Sequence, residues 1–117
     1  MVNYITADEV VKIHDEIINE TGGHTGIISY SNLDFLVDQM KIPKNIERKA
    51  TTLFYGILTG HPFADGNKRT AIASTETFLK ENNKEFIAKD EDLWDVVHKI
   101  TNEKFEETVN WIKKNIK

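Results

Sequence analysis

Residues 61–71 read His61-Pro62-Phe63-Ala64-Asp65-Gly66-Asn67-Lys68-Arg69-Thr70-Ala71, between apolar stretches of helical spacing. Within this short run stand a proton-transfer residue, a carboxylate, a turn glycine, an amide and two cations. The pattern predicts a turn feeding a helix N-terminus, where free backbone N–H groups and the helix dipole attract anions. Lys68 and Arg69 then fall in the first helical turn. Cations there oppose the dipole by about 0.3–1 kcal/mol each. Breaks in a local rule concentrate at functional sites, and an anionic ligand between those cations and the amides removes the conflict. The competing reading is a plain interhelical turn, with Asp-Gly as turn chemistry and Asn67 as helix cap.

Upstream, Asn45 can cap a helix carrying Ala50, Leu53, Phe54, Ile57 and Leu58 and ending near Gly60. Its apolar arc is wide, which predicts a central position. Pro43 separates it from a shorter helix with Leu33, Leu36, Val37 and Met40, for which Ser31 is the expected N-cap. Residues 22–30 are glycine-rich and irregular, with Ile27-Ile28 as a very short strand or extended flap. Thr6-Ala7-Asp8-Glu9 reads as a capping box before Val10, Ile13, Ile17 and Ile18, and Gly22-Gly23 ends that first helix. Downstream, Ala71, Ala73, Phe78 and Leu79 continue the helix that begins in the turn, up to Asn82-Asn83. Small residues at Ala71, Ala73 and Ser74 allow close packing on the preceding helix. Phe86-Ile87-Ala88 reads as extended. Asp90 is the expected cap of a fifth helix with Leu93, Trp94, Val97 and Ile100. Thr101 or Asn102 is the expected cap of a sixth, with Phe105, Val109, Trp111, Ile112 and Ile116. The fold class expected is all-α, a compact helical bundle of about six helices forming one domain over residues 1–117.

A chain of 117 residues suits a single core. A formal net charge of -4 supplies no general basic field, so a nucleic-acid partner is not expected. The absence of cysteine excludes a disulfide framework and thiolate metal sites. No signal pattern or membrane-length apolar run is present, and the expected compartment is the cytoplasm.

The run at 61–71 resembles the signature of the Fic/Doc superfamily, whose pattern is H-x-F-x-D/E-G-N-G-R-x-x-R. His61, Phe63, Asp65, Gly66, Asn67 and Arg69 match it. Lys68 stands where Fic proteins have glycine, and Ile72 where they have a last arginine. Asn67-Lys68-Arg69 is instead similar to the Doc (death-on-curing) branch. The tract before Gly22, with its central Ile13-His14, resembles the opening of Doc-like proteins. His14 itself reads as a packed or half-exposed helix residue. The Arg-Asp type step usual after the glycine region in Doc-like proteins is missing, since Gly26 is followed by Ile27, Ile28 and Ser29. His24 reads as a loop residue.

The resemblance implies a role for each matching position. His61 is the general base, a task that suits a side chain titrating near neutrality. Asp65 is the Mg²⁺ ligand, in keeping with that ion's preference for oxygen and one or two carboxylates. Gly66 lets backbone approach a phosphate. Asn67, Lys68 and Arg69 bind phosphate, with Arg69 as the forked cation. The implied activity is that of a Doc-like toxin, moving phosphate from ATP to a Ser/Thr hydroxyl of a translation factor, elongation factor Tu. A Phd-type antitoxin is the implied inhibitor, and no membrane partner is implied. The alternatives are a Fic-like protein AMP-transferase and an inactive protein-binding relative. Thr77-Phe78-Leu79-Lys80-Glu81-Asn82 matches the letters of the Fic inhibitory helix. Glu81, however, should lie about 21 Å beyond Asn67 along one helix at 1.5 Å per residue, out of reach of the phosphates.

Overall fold

The computed structural model describes residues 1–88 and 105–117. Five helices occupy them: α1 (Ala7–Thr21), α2 (Tyr30–Met40), α3 (Ile46–Gly60), α4 (Asn67–Glu81) and α5 (Phe105–Lys114). They form the expected compact all-α bundle, and no helix among the described residues is long and apolar enough to cross a membrane. The expected helix with Leu93 and Trp94, and the caps at Asp90, Thr101 and Asn102, lie outside the described residues.

Helix α3 is the hub, packed against α2, α4 and α5. Its Ala50, Leu53, Phe54, Ile57 and Leu58 are buried, the wide apolar arc expected of a central helix. Leu36 of α2 occupies the space beside Gly56, where a Cβ would lie 2.2 Å from Leu36 Cδ1. That glycine therefore sets how closely α2 approaches. On the α4 side, buried Ala71 and Ser74 provide the small surface for tight contact. Trp111 of α5 sits at the core edge, between Phe54 and Phe86 at ring-centroid distances of 5.8 and 5.6 Å.

The helix starts follow local chemistry. Thr6 accepts from the Glu9 amide while the Glu9 carboxylate accepts from the Thr6 amide, the complete capping box. Asn45 accepts from the Arg48 amide. The N-cap of α2 is Ser29 rather than Ser31: its side chain accepts from the Asn32 amide at 3.1 Å. The reason lies upstream. The Ser29 amide donates to the Pro62 carbonyl, which holds Ser29 in the extended conformation an N-cap needs. Tyr30 then opens the helix, its hydroxyl donating to the Asp8 carboxylate of α1. That hydrogen bond pushes the phenol up to about 12.

One buried charge braces the bundle. The Lys49 ammonium donates to the carbonyls of Met40 at 2.6 Å and Ile42 at 2.9 Å, and to the Tyr4 hydroxyl at 2.9 Å. All three of its donors are thereby satisfied. The Met40 and Ile42 carbonyls belong to the negative end of α2, where a cation is favoured.

Candidate active site

The connection from α3 to α4, residues 61–66, and the first turn of α4 carry every candidate side chain. Helix α3 ends with His61 as its C-cap, in the left-handed region at φ 46° and ψ 58°. Its amide still donates to Ile57 at 3.2 Å. Pro62 and Phe63 turn inward and are buried. Burying a phenylalanine contributes roughly 1.5–3 kcal/mol, enough to pin the loop to the core. Asn67 then clips the loop shut. Its side chain accepts from the Phe63 amide at 3.1 Å and donates to the Phe63 carbonyl at 2.9 Å. Asn67 is therefore the first residue of α4 and not its cap. Gly66 is the N-cap, in the left-handed region at φ 77°, and no side chain among the described residues caps the helix. The amide found its partners four residues back in the loop, where they hold both polar groups of Phe63.

Residues 26–29 lie antiparallel to the loop as the extended flap expected of Ile27-Ile28. Ile27 bridges Phe63. The Ala64 amide donates to Gly26, and the Ile28 and Ser29 amides share the Pro62 carbonyl. His24 is an exposed loop residue.

The loop and first turn of α4 enclose a cleft of about 370 Å³ lined by His61, Ala64, Asp65, Gly66, Asn67, Lys68 and Arg69. All six candidate residues thus meet at one surface. Lys68 and Arg69 are exposed in the first turn of α4, where no acidic residue stands, and neither has an ion-pair partner among the described residues. The His61 imidazole likewise has no hydrogen-bond partner among them. The Asp65 carboxylate accepts from the Gly66 amide at 2.9 Å through Oδ1. Among the described residues no three His, Asp or Glu side chains gather into a metal cage. Asp65 alone fits Mg²⁺, which commonly takes one or two carboxylates and fills its other positions with phosphate oxygens and water. Ile72, at the position of the Fic pattern's last arginine, packs against the core instead of entering the cleft. Glu81 caps nothing in the site: it ends α4, where its carbonyl accepts from the Asn3 side chain.

Sequence reading missed one residue that holds the loop from below. His14 of α1 is fully buried beneath the loop. Its ring stacks on Phe63 at 3.8 Å between centroids and 5° between planes. Its Nε2 lies 2.7 Å from the Asp65 carbonyl oxygen. A carbonyl only accepts, so Nε2 carries the proton. The signal for this contact was the Ile-His pair at the centre of α1, but its partner stands 51 residues away.

A family model described as "Fic/DOC family" matches residues 4–79. The chain is also similar to "Protein kinase doc" of Escherichia phage P1, at 31% identity in an alignment of 88 residues that covers 69% of each chain.

Proposed function

The chain belongs to the Fic/DOC family, in its Doc branch, and on that footing we propose that it is an ATP-dependent protein phosphotransferase acting as the toxin of a toxin–antitoxin pair. The observation that carries this reading is the pair of cations, Lys68 and Arg69, without ion-pair partners among the described residues, at the N-terminus of α4, beside His61 and Asp65 in one cleft. Such a turn holds an anion with three kinds of group at once: amides, the helix dipole and side-chain charge.

In the proposed reaction each of these groups has a task. His61, at the rim, accepts the proton of a Ser/Thr hydroxyl. The hydroxyl oxygen bonds to the γ-phosphorus of ATP, the bond to the β–γ bridging oxygen breaks, and ADP departs with that electron pair. Lys68, Arg69 and the first amides of α4 hold the phosphate oxygens as negative charge shifts among them. Asp65 would hold Mg²⁺, which when bound neutralises phosphate charge. Asn67 keeps the loop in register through Phe63 and leaves its second amide hydrogen for a phosphate oxygen. The substrate we propose is a hydroxyl of a translation factor, elongation factor Tu, with a Phd-type antitoxin as inhibitor and the cytoplasm as the working compartment.

Lys68 separates phosphate transfer from AMP transfer. A glycine here leaves room for the nucleotide's diphosphate at the helix N-terminus and presents the α-phosphate. Lysine fills that room with charge and favours presentation of the γ-phosphate. The test is the mass added to elongation factor Tu and the nucleotide released. Phosphate added with ADP released is expected, and Lys68→Gly should lose most of that activity. An AMP-modified product with pyrophosphate released by the wild type overturns the kinase assignment.

A further inference from the structure

The peptide unit between Asp65 and Gly66 is held at both ends. Its carbonyl accepts from His14 Nε2 at 2.7 Å. Its N–H donates to the Asp65 carboxylate at 2.9 Å. Three further contacts fix the same point. The His14 ring is stacked on Phe63, the core anchor of the loop. A Cβ on Gly66 would lie 3.5 Å from His14 Cδ2 and 3.1 Å from Ile18 Cδ1, so the turn rests directly on α1. Gly23, at φ 124°, passes so close to Asp65 that a Cβ there would stand 2.7 Å from Oδ2. Asp65 is thus gripped by α1 and the turn after it, elements outside the signature.

We propose that His14 is a positioning residue: its Nε2–H holds the Asp65 carbonyl, and so aims the Asp65 carboxylate and the start of α4 at a metal-bound nucleotide. The proposal rests on the nucleotide-dependent reading above. Rotation of this one peptide would turn the Gly66 amide and, through its hydrogen bond, the Asp65 carboxylate. A buried histidine that merely filled space would be replaceable by any flat ring. His14 adds a donor aimed at the one carbonyl whose orientation sets the site.

Two pairs of variants separate the donor from the ring. His14→Phe keeps a flat ring on Phe63 and loses the donor. His14→Gln and His14→Met match each other in length and differ in whether the tip donates. Binding of ATP is measured by calorimetry with and without Mg²⁺, alongside thermal unfolding and the amide resonance of Gly66. In folded His14→Phe, Mg²⁺-dependent ATP affinity should fall about 10–100-fold, the range seen when a partner that orients a metal ligand is removed. Metal-free ATP binding should change far less. His14→Gln should recover most of the affinity and His14→Met should not, so the second pair decides the matter if His14→Phe fails to fold. Gly66 should shift in the variants without a donor and return in His14→Gln. Equal Mg²⁺-dependent binding in wild type, His14→Phe and His14→Met, or an unmoved Gly66 resonance, overturns the proposal. A wild type that ignores Mg²⁺ and ATP while Gly66 behaves as described sinks the nucleotide reading but leaves His14 in place as holder of the turn.

Discussion

The exits of α3 and α4 take the same left-handed step and put it to opposite uses. At the α4 exit the step falls on Asn83, φ 61°, a residue type that tolerates it. The side chain of its neighbour Asn82 is fully engaged. Asn82 donates to the Phe78 and Asn3 carbonyls and accepts from the Asn3 amide, and the Lys84 amide reaches back to Leu79. At the α3 exit the step falls on His61, φ 46°, between Gly60 and Pro62. There the backbone bond to Ile57 is made, but the side chain is exposed and has no partner among the described residues. One exit uses its side chains to tie down the N-terminal segment. The other keeps an imidazole at the rim of a cleft and bears the backbone cost. A helix end with a left-handed non-glycine residue and an unengaged ring suits chemistry better than architecture.

Substitutions at the two exits should therefore move different observables. His61→Ala should lower phosphate transfer by about 10²–10⁴, the range for loss of a general base, with the bundle still folded. Transfer of label from γ-labelled ATP, read beside the unfolding midpoint, checks this; unchanged turnover removes His61 from the mechanism. Asn82→Ala should do the reverse. Its lost hydrogen bonds should cost about 1–3 kcal/mol of stability, measurable in urea, while the transfer rate stays at the wild-type value. His61→Gly sharpens the contrast further. Glycine accepts the left-handed step, so this variant should be more stable than wild type by about 0.5–1 kcal/mol and as inactive as His61→Ala. Equal stability of His61→Gly and His61→Ala would show that the exit carries no strain.

The smallest effect lies away from both exits. Arg48 grips the Glu106 carboxylate with two bonds of 2.8 and 2.7 Å, and the hydrogen bond with Arg48 lowers the Glu106 pKa. A carboxylate lowered in the folded state contributes stability above its unfolded pKa and loses it as pH falls through the folded one. Glu106→Gln should therefore flatten the acid limb of the stability profile and leave neutral stability nearly unchanged, as expected of an exposed pair. Identical acid limbs for mutant and wild type would show that the pair is inert.

What could be read in the sequence was what short-range chemistry decides. The capping box at Thr6 and Glu9, the Asn45 cap and the apolar arc of α3 all depend on neighbours within a turn or two, and all stand as expected. That the six candidate residues share one cleft was legible because they fall in one short run. Errors arose where a distant group intervened. Ser29 became the α2 cap because the Pro62 carbonyl, 33 residues on, straightens it. Asn67 looks like a cap by type, yet the inward turn of Phe63 offered it a better pair of partners. His14 and Lys49 were hidden for the same reason. Their partners, Asp65 and Tyr4, stand 51 and 45 residues away, and nothing in helical spacing points to them.

Lys49 also makes the fold readable by chemistry on amines. Every other described lysine is exposed, so a reagent that acylates primary amines meets all of them in the folded chain. Lys49 is withheld, with its three hydrogens committed to Met40, Ile42 and Tyr4. Label at this one position therefore marks molecules in which the N-terminal segment, the end of α2 and the start of α3 have come apart. The extent of that labelling over time is a clock for opening of the bundle, recorded on a residue remote from the cleft.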